Sequence, residues 1–469
     1  MIDRERATEP LDDPTEGLGG VPPPARVTVV GCGHVGLVMA AGLAKLGHDV
    51  VGIDIDAGLI ERLRNGEVDL LEPDLSEIVR EGQESGRLCF TTSYAESIPR
   101  SEFIFLAVDT PQTLAGAADL RNIRSASRSI AENLNGASPI IINKSTSPIG
   151  TGETIEGLVS DALLGRGRSP RIVSNPEFLR QGRAVWDFFH PDRIVVGSRS
   201  IADAQAVTDL YVQLGVPVIQ TDLRTAEMIK YVANAFLATR ISFINEIARL
   251  CEQIGTNVDE VVAGISLDPR IGDAFFHPGI GFGGSCLPKD IAALRYIGET
   301  FGVATPVLSA VQEVNAAQRT SAVRRLRARL GGLEGKIVAV WGLTFKGGTE
   351  DTRQSPAMDV VELLHNEGAV IRAFDPSVAE DPDRVPARLR PMLRESGLAA
   401  ASGADALAIL TDWSEFERIA LSDLRGVMRG RVIFDGRNVL DAAMVEREGF
   451  AYMGVGRIST AQRRRTTDR

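Results

Sequence analysis

Three observations predict an α/β protein built as two doubly wound domains joined by a central long-helix domain. Short β-branched runs alternate with helix-compatible stretches from Arg26 onward, and the pattern opens on a glycine turn. A run without Gly or Pro then extends from Thr225 to Ile254, apolar on most of its faces. After it, at Lys336–Trp341, the alternation begins again. Strands separated by helices are what a parallel sheet covered on both faces requires, because each parallel connection must carry the chain back across the sheet.

Length and composition agree. The 469 residues have room for about three domains. An apolar fraction of 44% and a charged fraction of 24% are ordinary for a globular chain, while an aromatic fraction of 5% leaves folding to aliphatic packing. Lys and Arg number 51 against 62 Asp and Glu, and the net charge of −11 argues against nucleic acid or an anionic membrane as partner. No apolar run approaches the roughly 18 residues that span a bilayer. Cys32, Cys89, Cys251 and Cys286 show neither CxxC nor metal-ligand spacing, so no disulfide framework and no metal site is expected, and a reducing cytoplasm fits. The first three read as inert core fillers. Residues 1–25 carry acids, Gly and Pro but no apolar segment and read as a disordered leader; 456–469, with Arg463, Arg464 and Arg465, read as a solvated basic tail.

The first domain is expected over 26–220. Val27–Val30 forms a strand, Gly31-Cys32-Gly33-His34-Val35-Gly36 a turn, Leu37–Leu46 a helix closed by Gly47, and Val50–Ile53 a second strand ending at Asp54. Further strands are expected at Phe103–Val108, Ile140–Asn143 and Ile172–Ser174. The second domain, 221–330, holds a helix of about 30 residues, roughly 45 Å long, which can bridge domains and offer a surface for self-association. The glycine-rich loop Gly279–Asp290 interrupts the helical sequence that follows. The third domain, 331–455, has strand-like runs at Lys336–Trp341, Val370–Phe374, Ala406–Leu410 and Val432–Phe434.

Several residues carry chemistry. Gly31, Gly33 and Gly36 have the GxGxxG spacing that lets a pyrophosphate approach a helix start, and Asp54, 23 residues after the first glycine, can accept from both ribose hydroxyls of a dinucleotide. No Arg immediately follows Asp54, which favours NAD over NADP. Lys230 and Asn234 share one face of the long helix; they are either an exposed polar pair or a means of holding a reacting oxygen. Cys286, in Gly281-Phe282-Gly283-Gly284-Ser285-Cys286-Leu287-Pro288-Lys289-Asp290, follows glycines that permit close approach of a ligand, and Lys289 could favour its thiolate. Asp290 could orient a base or water, or merely cap a helix. Glu177, in Asn175-Pro176-Glu177-Phe178, and Thr146, in Lys144-Ser145-Thr146, both follow strands, where sites of α/β sheets lie. Glu177 could act as base or pair with a lysine; Thr146 could bridge a water or end a strand.

In this order the motifs resemble the nucleotide-sugar 6-dehydrogenase family, most closely its UDP-glucose branch, over about residues 26–455. GFGGSCLPKD with an upstream KYVANAF is a specific signature, and VANAFLATRISF leans toward glucose. The resemblance implies an amino-terminal NAD-binding Rossmann domain, a central helix forming the core of a homodimer, and a carboxyl-terminal Rossmann-like domain holding a UDP-sugar. It implies Cys286 as nucleophile, Lys230, Asn234 and Asp290 as oxyanion and proton-handling groups, and Thr146 and Glu177 as a water-positioning pair. Around the cofactor it places Gly31, Gly33, Val35, Gly36, Asp54, Thr110, Thr146, Lys289 and Arg353. Around the substrate it places Glu177, Phe178, Leu179, Lys230, Asn234, Phe275, Phe282, Gly283, Lys346 and Arg437, with Arg270 reaching the substrate of a neighbouring subunit. Two positions depart from the family pattern: Gln181 stands where many relatives have Glu, and Leu59 where a basic residue is common.

The implied reaction is an NAD-dependent four-electron oxidation of the C6 alcohol of a nucleotide sugar, UDP-glucose to UDP-glucuronate, through a thiohemiacetal and a thioester on Cys286. GDP-mannose and a UDP-N-acetylhexosamine are the alternative substrates. A single-step hydroxy-acid dehydrogenase is a weaker reading, since it leaves Cys286 and the third domain without a role. A non-catalytic nucleotide-sugar binder is weaker still, since every reacting group is in place. The family further implies supply of precursors for polysaccharide biosynthesis.

Overall fold

The computed structural model describes residues 23–113, 116–163 and 169–458. Most of the expected leader, residues 1–22, and residues 459–469 of the expected tail, with Arg463, Arg464 and Arg465, lie outside the described residues.

The first sheet has eight strands: β1 (Arg26–Val30), β2 (Asp49–Ile53), β3 (Leu88–Thr91), β4 (Phe103–Leu106), β5 (Ile140–Asn143), β6 (Arg171–Ser174), β7 (Ile194–Ser198) and β8 (Val218–Thr221). Their spatial order is β3-β2-β1-β4-β5-β6-β7-β8. The period of two along each strand sorts the core. Val29, Phe105, Ile142 and Val173 share a core with the helices His34–Lys45, Ala184–Phe189 and Ile201–Asp209, whereas Val30, Leu106, Ile141 and Ile172 share one with Arg121–Asn133 and Thr151–Ala162. The expectation of a parallel sheet holds as far as β6. There β7 enters antiparallel, and β8 pairs parallel to β7. Strands β3, β7 and β8 have no counterpart among the expected runs; β3 and β8 have four residues each, and both middle residues of β8 are exposed, so neither carries a strong apolar signal.

The second sheet contains β9 (Ile337–Trp341), β10 (Val370–Phe374), β11 (Ala406–Ile409), β12 (Val432–Asp435) and β13 (Ala451–Gly454), ordered β10-β9-β11-β12-β13 and parallel throughout. The long helix runs from Leu223 to Ile254, 32 residues. Asp222 caps its start by accepting from the Thr225 N–H at 3.0 Å and hydroxyl at 2.6 Å, and Gly255, at φ 80°, ends it. Three further helices follow, Val258–Ser266, Leu287–Thr300 and Pro306–Leu330.

The chain divides into two compact units between Ala233 and Asn234, inside the long helix. The second unit combines the helical middle with the second sheet, because they share one core: Ile244, Ala248, Ala322 and Leu326 pack with Val338, Val340, Ala406 and Phe434. Among the described residues no helix is long and apolar enough to cross a membrane.

Candidate active site

In the first unit, β1 delivers the chain into the glycine turn. Gly31 has φ 95°, and a Cβ there would lie 2.6 Å from the Ala107 carbonyl oxygen; a Cβ at Gly36 would lie 1.7 Å from the Gly31 oxygen. Both positions admit only glycine. At Gly33, by contrast, a Cβ would meet nothing within 4 Å, and no side chain caps the helix that begins at His34. The first helical turn therefore faces open space that a side chain would fill, which is the cradle a pyrophosphate needs. Asp54, at the end of β2, accepts from the Cys32 N–H at 2.8 Å and the Asp56 N–H at 3.0 Å, so its carboxylate is fixed against the turn. These residues fit a dinucleotide. Val35 is half-buried against the same core. The Thr110 hydroxyl donates to the Thr146 carbonyl at 2.6 Å and so joins the loops after β4 and β5. Leu59 packs on the core from the helix Ala57–Arg64 and offers apolar surface there.

The second sheet repeats the strand, helix, strand, acid pattern, with Asp375 after β10 where Asp54 follows β2. Asp375 is saturated: it accepts from the Leu343 and Thr344 N–H groups, the Thr344 hydroxyl, the Trp413 indole and the Ser377 N–H and hydroxyl. An acid so engaged cannot take a ribose, which leaves the first sheet as the dinucleotide site.

Beyond β5 and β6 the first unit buries three charges, Lys144, Glu177 and Lys230, each less than 7% exposed. Lys230 Nζ lies 3.1 Å from Glu177 Oε1, and the Leu179 N–H donates to Glu177 Oε2 at 2.5 Å. Burial pushes the Glu177 carboxyl up, but the Lys230 ammonium and the Leu179 N–H together hold it below its ordinary value. Phe178, half-buried, stacks under Arg193 at 3.7 Å and has Lys230 Nζ 5.3 Å from its centroid. Leu179 packs on the core beside it. Gln181 belongs to the half-buried segment that follows.

Sequence reasoning missed two titratable groups here. Lys144 is buried at the end of β5, and its amine is pushed down to about 7, first by burial. Glu227, one turn before Lys230, accepts from the Gly150 N–H at 2.7 Å, the Gly152 N–H at 2.8 Å and the Ser174 hydroxyl at 3.3 Å, and burial raises its carboxyl to about 7. It thereby pins the loop that carries Thr146. A lysine two residues after the apolar run Ile140–Ile142, and an acid inside an apolar helix, were the available signals.

In the second unit the thiol loop ends at Cys286, which is exposed and occupies the N-cap of Leu287–Thr300. One turn below, Asp290 is fully buried; the Asn234 amide donates to its Oδ2 at 2.6 Å and Lys289 Nζ to its Oδ1 at 2.6 Å. The ammonium expected to serve the thiol is thus paired with Asp290. The loop is clamped by amides that sequence reasoning passed over on largely apolar helices. Asn245 accepts from Gly279 N–H, Asn315 bonds both backbone groups of Phe282, and Gln318 donates to Gly279 O.

Four expectations are corrected. Gly283 serves close packing by the protein itself, since a Cβ there would lie 2.3 Å from the Gln354 oxygen. Phe282 is a core residue, buried with Ala235, Ala238, Ile291 and Val311, so its ring does not line a surface. Arg437 commits three of its N–H groups to the carbonyls of Leu410, Gly281 and Phe345, at 3.0, 3.0 and 2.9 Å, and ties the thiol loop to the second sheet. Cys89 is exposed on β3 and is no core filler, whereas Cys32 and Cys251 are buried. Of the remaining residues, Arg270 is exposed and paired with Asp268 at 2.6 Å. Arg353 is paired with Asp351 at 2.7 Å while remaining 60% exposed, and Lys346 is half-buried near the Phe345 ring. Phe275 adopts φ 63°, a costly conformation for an aromatic residue that marks a constrained loop.

Comparison with known proteins matches three consecutive family profiles. They are the NAD binding domain of the UDP-glucose/GDP-mannose dehydrogenase family over residues 25–215, its central domain over 224–317 and its UDP binding domain over 339–442. The UDP-glucose 6-dehydrogenase TuaD of Bacillus subtilis is 40% identical over 432 residues, 92% of this chain and 93% of the relative. A UDP-glucose dehydrogenase structure from Pyrobaculum islandicum aligns with TM-score 0.86 at 38% identity, covering 94% of this chain and all of that one. A UDP-D-ManNAc dehydrogenase structure from Pyrococcus horikoshii aligns with TM-score 0.81 at 31% identity, covering 92% and 99%.

Proposed function

The chain belongs to the UDP-glucose/GDP-mannose dehydrogenase family, NAD-dependent nucleotide-sugar dehydrogenases, and on that premise we propose that it oxidises UDP-glucose at C6 to UDP-glucuronate. The identity to UDP-glucose enzymes supports glucose over an N-acetylhexosamine or GDP-mannose. The observation that carries the chemistry is Cys286, an exposed thiol at a helix N-cap directly above a buried Asp290. An accessible thiol can retain an aldehyde between two oxidations as a covalent adduct.

The glycine turn and Asp54 would hold NAD, which would supply the hydride acceptor for each oxidation at C6. Between them, the Cys286 sulfur adds to the aldehyde carbon to give a thiohemiacetal, and the second oxidation leaves a thioester. Water then cleaves the C–S bond, returning the thiol and releasing the carboxylate. Lys230 and Asn234, one turn apart on the long helix, hold the oxygen on which negative charge develops. Asp290 handles the proton of the attacking water, and Thr146 with Glu177 orients that water. Gly31, Gly33, Gly36 and Asp54 are the residues that would hold the cofactor.

A homodimer through the long helix completes the reading. Val232, Phe236, Phe243, Leu250 and Ile254 are each at least half exposed along that helix, a stripe that a second copy of the chain would cover. A cytoplasmic location suits an enzyme whose nucleophile is a free thiol. The decisive experiment incubates the enzyme with NAD and a panel of UDP- and GDP-sugars, following reduced cofactor and acid together. About two reduced cofactors per acid, with UDP-glucose preferred, is the expected result; about one per oxidised product, or preference for another sugar, contradicts it.

A further inference from the structure

Lys144 has no part in the mechanism above, yet it is built into the same sheet end. Its backbone N–H donates to Leu106 O at 2.9 Å, which fixes where the side chain starts. Its Nζ donates to Asn175 Oδ1 at 3.0 Å, and the Tyr211 hydroxyl donates to the same oxygen at 2.8 Å. The Asn175 amide in turn donates to Val195 O at 2.8 Å, and its backbone N–H to Asn143 O at 2.9 Å. Asn175 is fully buried and stands two residues before Glu177. Among the described residues Asn175 Oδ1 is the one hydrogen-bond acceptor of an amine that can donate three times.

Resting on the reading of Glu177 as a working group of the site, we propose that Lys144 is a positioning residue for the reaction: through Asn175 it holds the segment that presents Glu177, and it adds a third buried charge behind the Glu177–Lys230 pair. Hydrogen bonding explains the first part, since the Asn175 side chain, bonded on both sides, leaves Pro176 and Glu177 little freedom. The second part follows from burial. An ammonium so enclosed is stabilised across the cluster by the Glu177 carboxylate and opposed by the Lys230 ammonium. Besides these two, the Tyr211 phenol faces it, and burial keeps that phenol neutral. With its amine pushed down to about 7, chiefly by burial, Lys144 is charged below neutrality and neutral above it. The cluster therefore changes from one net positive charge to none across the working range.

The test compares K144M, K144R and E177Q for kcat, KM for each substrate, NAD affinity and the pH dependence of kcat. NAD affinity reports folding of the first unit independently of turnover. K144M is expected to lower kcat on the order of 10- to 100-fold with NAD affinity unchanged, and to abolish an inflection near pH 7. K144R, charged throughout, is expected to lack the inflection as well while recovering part of kcat. K144M with wild-type turnover and an intact inflection, beside a slow E177Q, overturns the role of Lys144. If K144M does not fold, an inflection retained in the double variant K144R/E227Q overturns it equally, the second change being needed because the Glu227 carboxyl is also raised to about 7. E177Q at the wild-type rate overturns instead the reading of Glu177 on which the proposal rests.

Discussion

Asn234 donates a 2.6 Å hydrogen bond to the buried carboxylate of Asp290, four residues beyond the exposed thiol of Cys286. Lys289 occupies the other oxygen of that carboxylate. The long helix, through Asn234, thus grips the helix that Cys286 caps, and the thiol is presented from a rigid base. Such support is what a nucleophile needs if its sulfur is to meet a carbon in a narrow range of directions.

Replacing Cys286 by Ser keeps the cap position and removes the reactive sulfur. Acid formation is expected to fall on the order of 1,000-fold, with NAD affinity unchanged because the glycine turn lies in the other unit. Product acid is measured directly by chromatography; acid at the wild-type rate from C286S removes the thiol from the mechanism.

Asp54 is held by two backbone N–H groups of its own turn, so its truncation affects both cofactor contact and the shape of the cradle. For D54A, NAD binding is expected to weaken roughly 10- to 100-fold, the equivalent of one or two charged hydrogen bonds. Calorimetric titration checks it, and UDP-sugar affinity serves as the control. An unaltered NAD affinity places the ribose elsewhere.

Glu227 predicts a pH effect on stability. Its carboxyl is raised from 4.5 to about 7, so between these values the native state holds a proton that the unfolded chain has released. The contribution of this group to stability is complete below pH 4.5 and is lost as pH rises through 7, about 3 kcal/mol in all. In E227Q that component disappears. Urea unfolding at pH 5.5 and 8 in both proteins measures it, and an identical pH dependence in the two would exclude Glu227 as the source.

Phe236 is 60% exposed on the long helix, where a charge costs a monomer little and an apolar interface much. F236D is expected to shift the protein toward monomer in analytical ultracentrifugation while the circular dichroism stays native. A variant that sediments as the wild type shows that the stripe is covered in some other way or not at all.

The division between sequence and structure follows from how far each signal travels along the chain. Strand β1, the glycine turn, β2 and Asp54 are contiguous, so spacing alone pointed to a cofactor cradle; the long helix announced itself by about 30 residues without Gly or Pro, Thr225–Ile254. The loop from Gly279 to Asp290 was equally legible as a candidate site. Invisible in one dimension was the use each side chain makes of its neighbours. Arg437 has the chemistry of a ligand-binding residue, yet three of its five N–H groups go to distant carbonyls. Phe282 sits in a glycine loop, yet its ring belongs to a core. Lys144 and Glu227 owe their shifted protonation to burial, and burial is a property of packing. The sequence by itself determined which chemistry the chain carries and roughly where. Tertiary structure alone decided which polar groups remain available, because a hydrogen-bond donor is committed or free according to what folding brings within 3 Å of it.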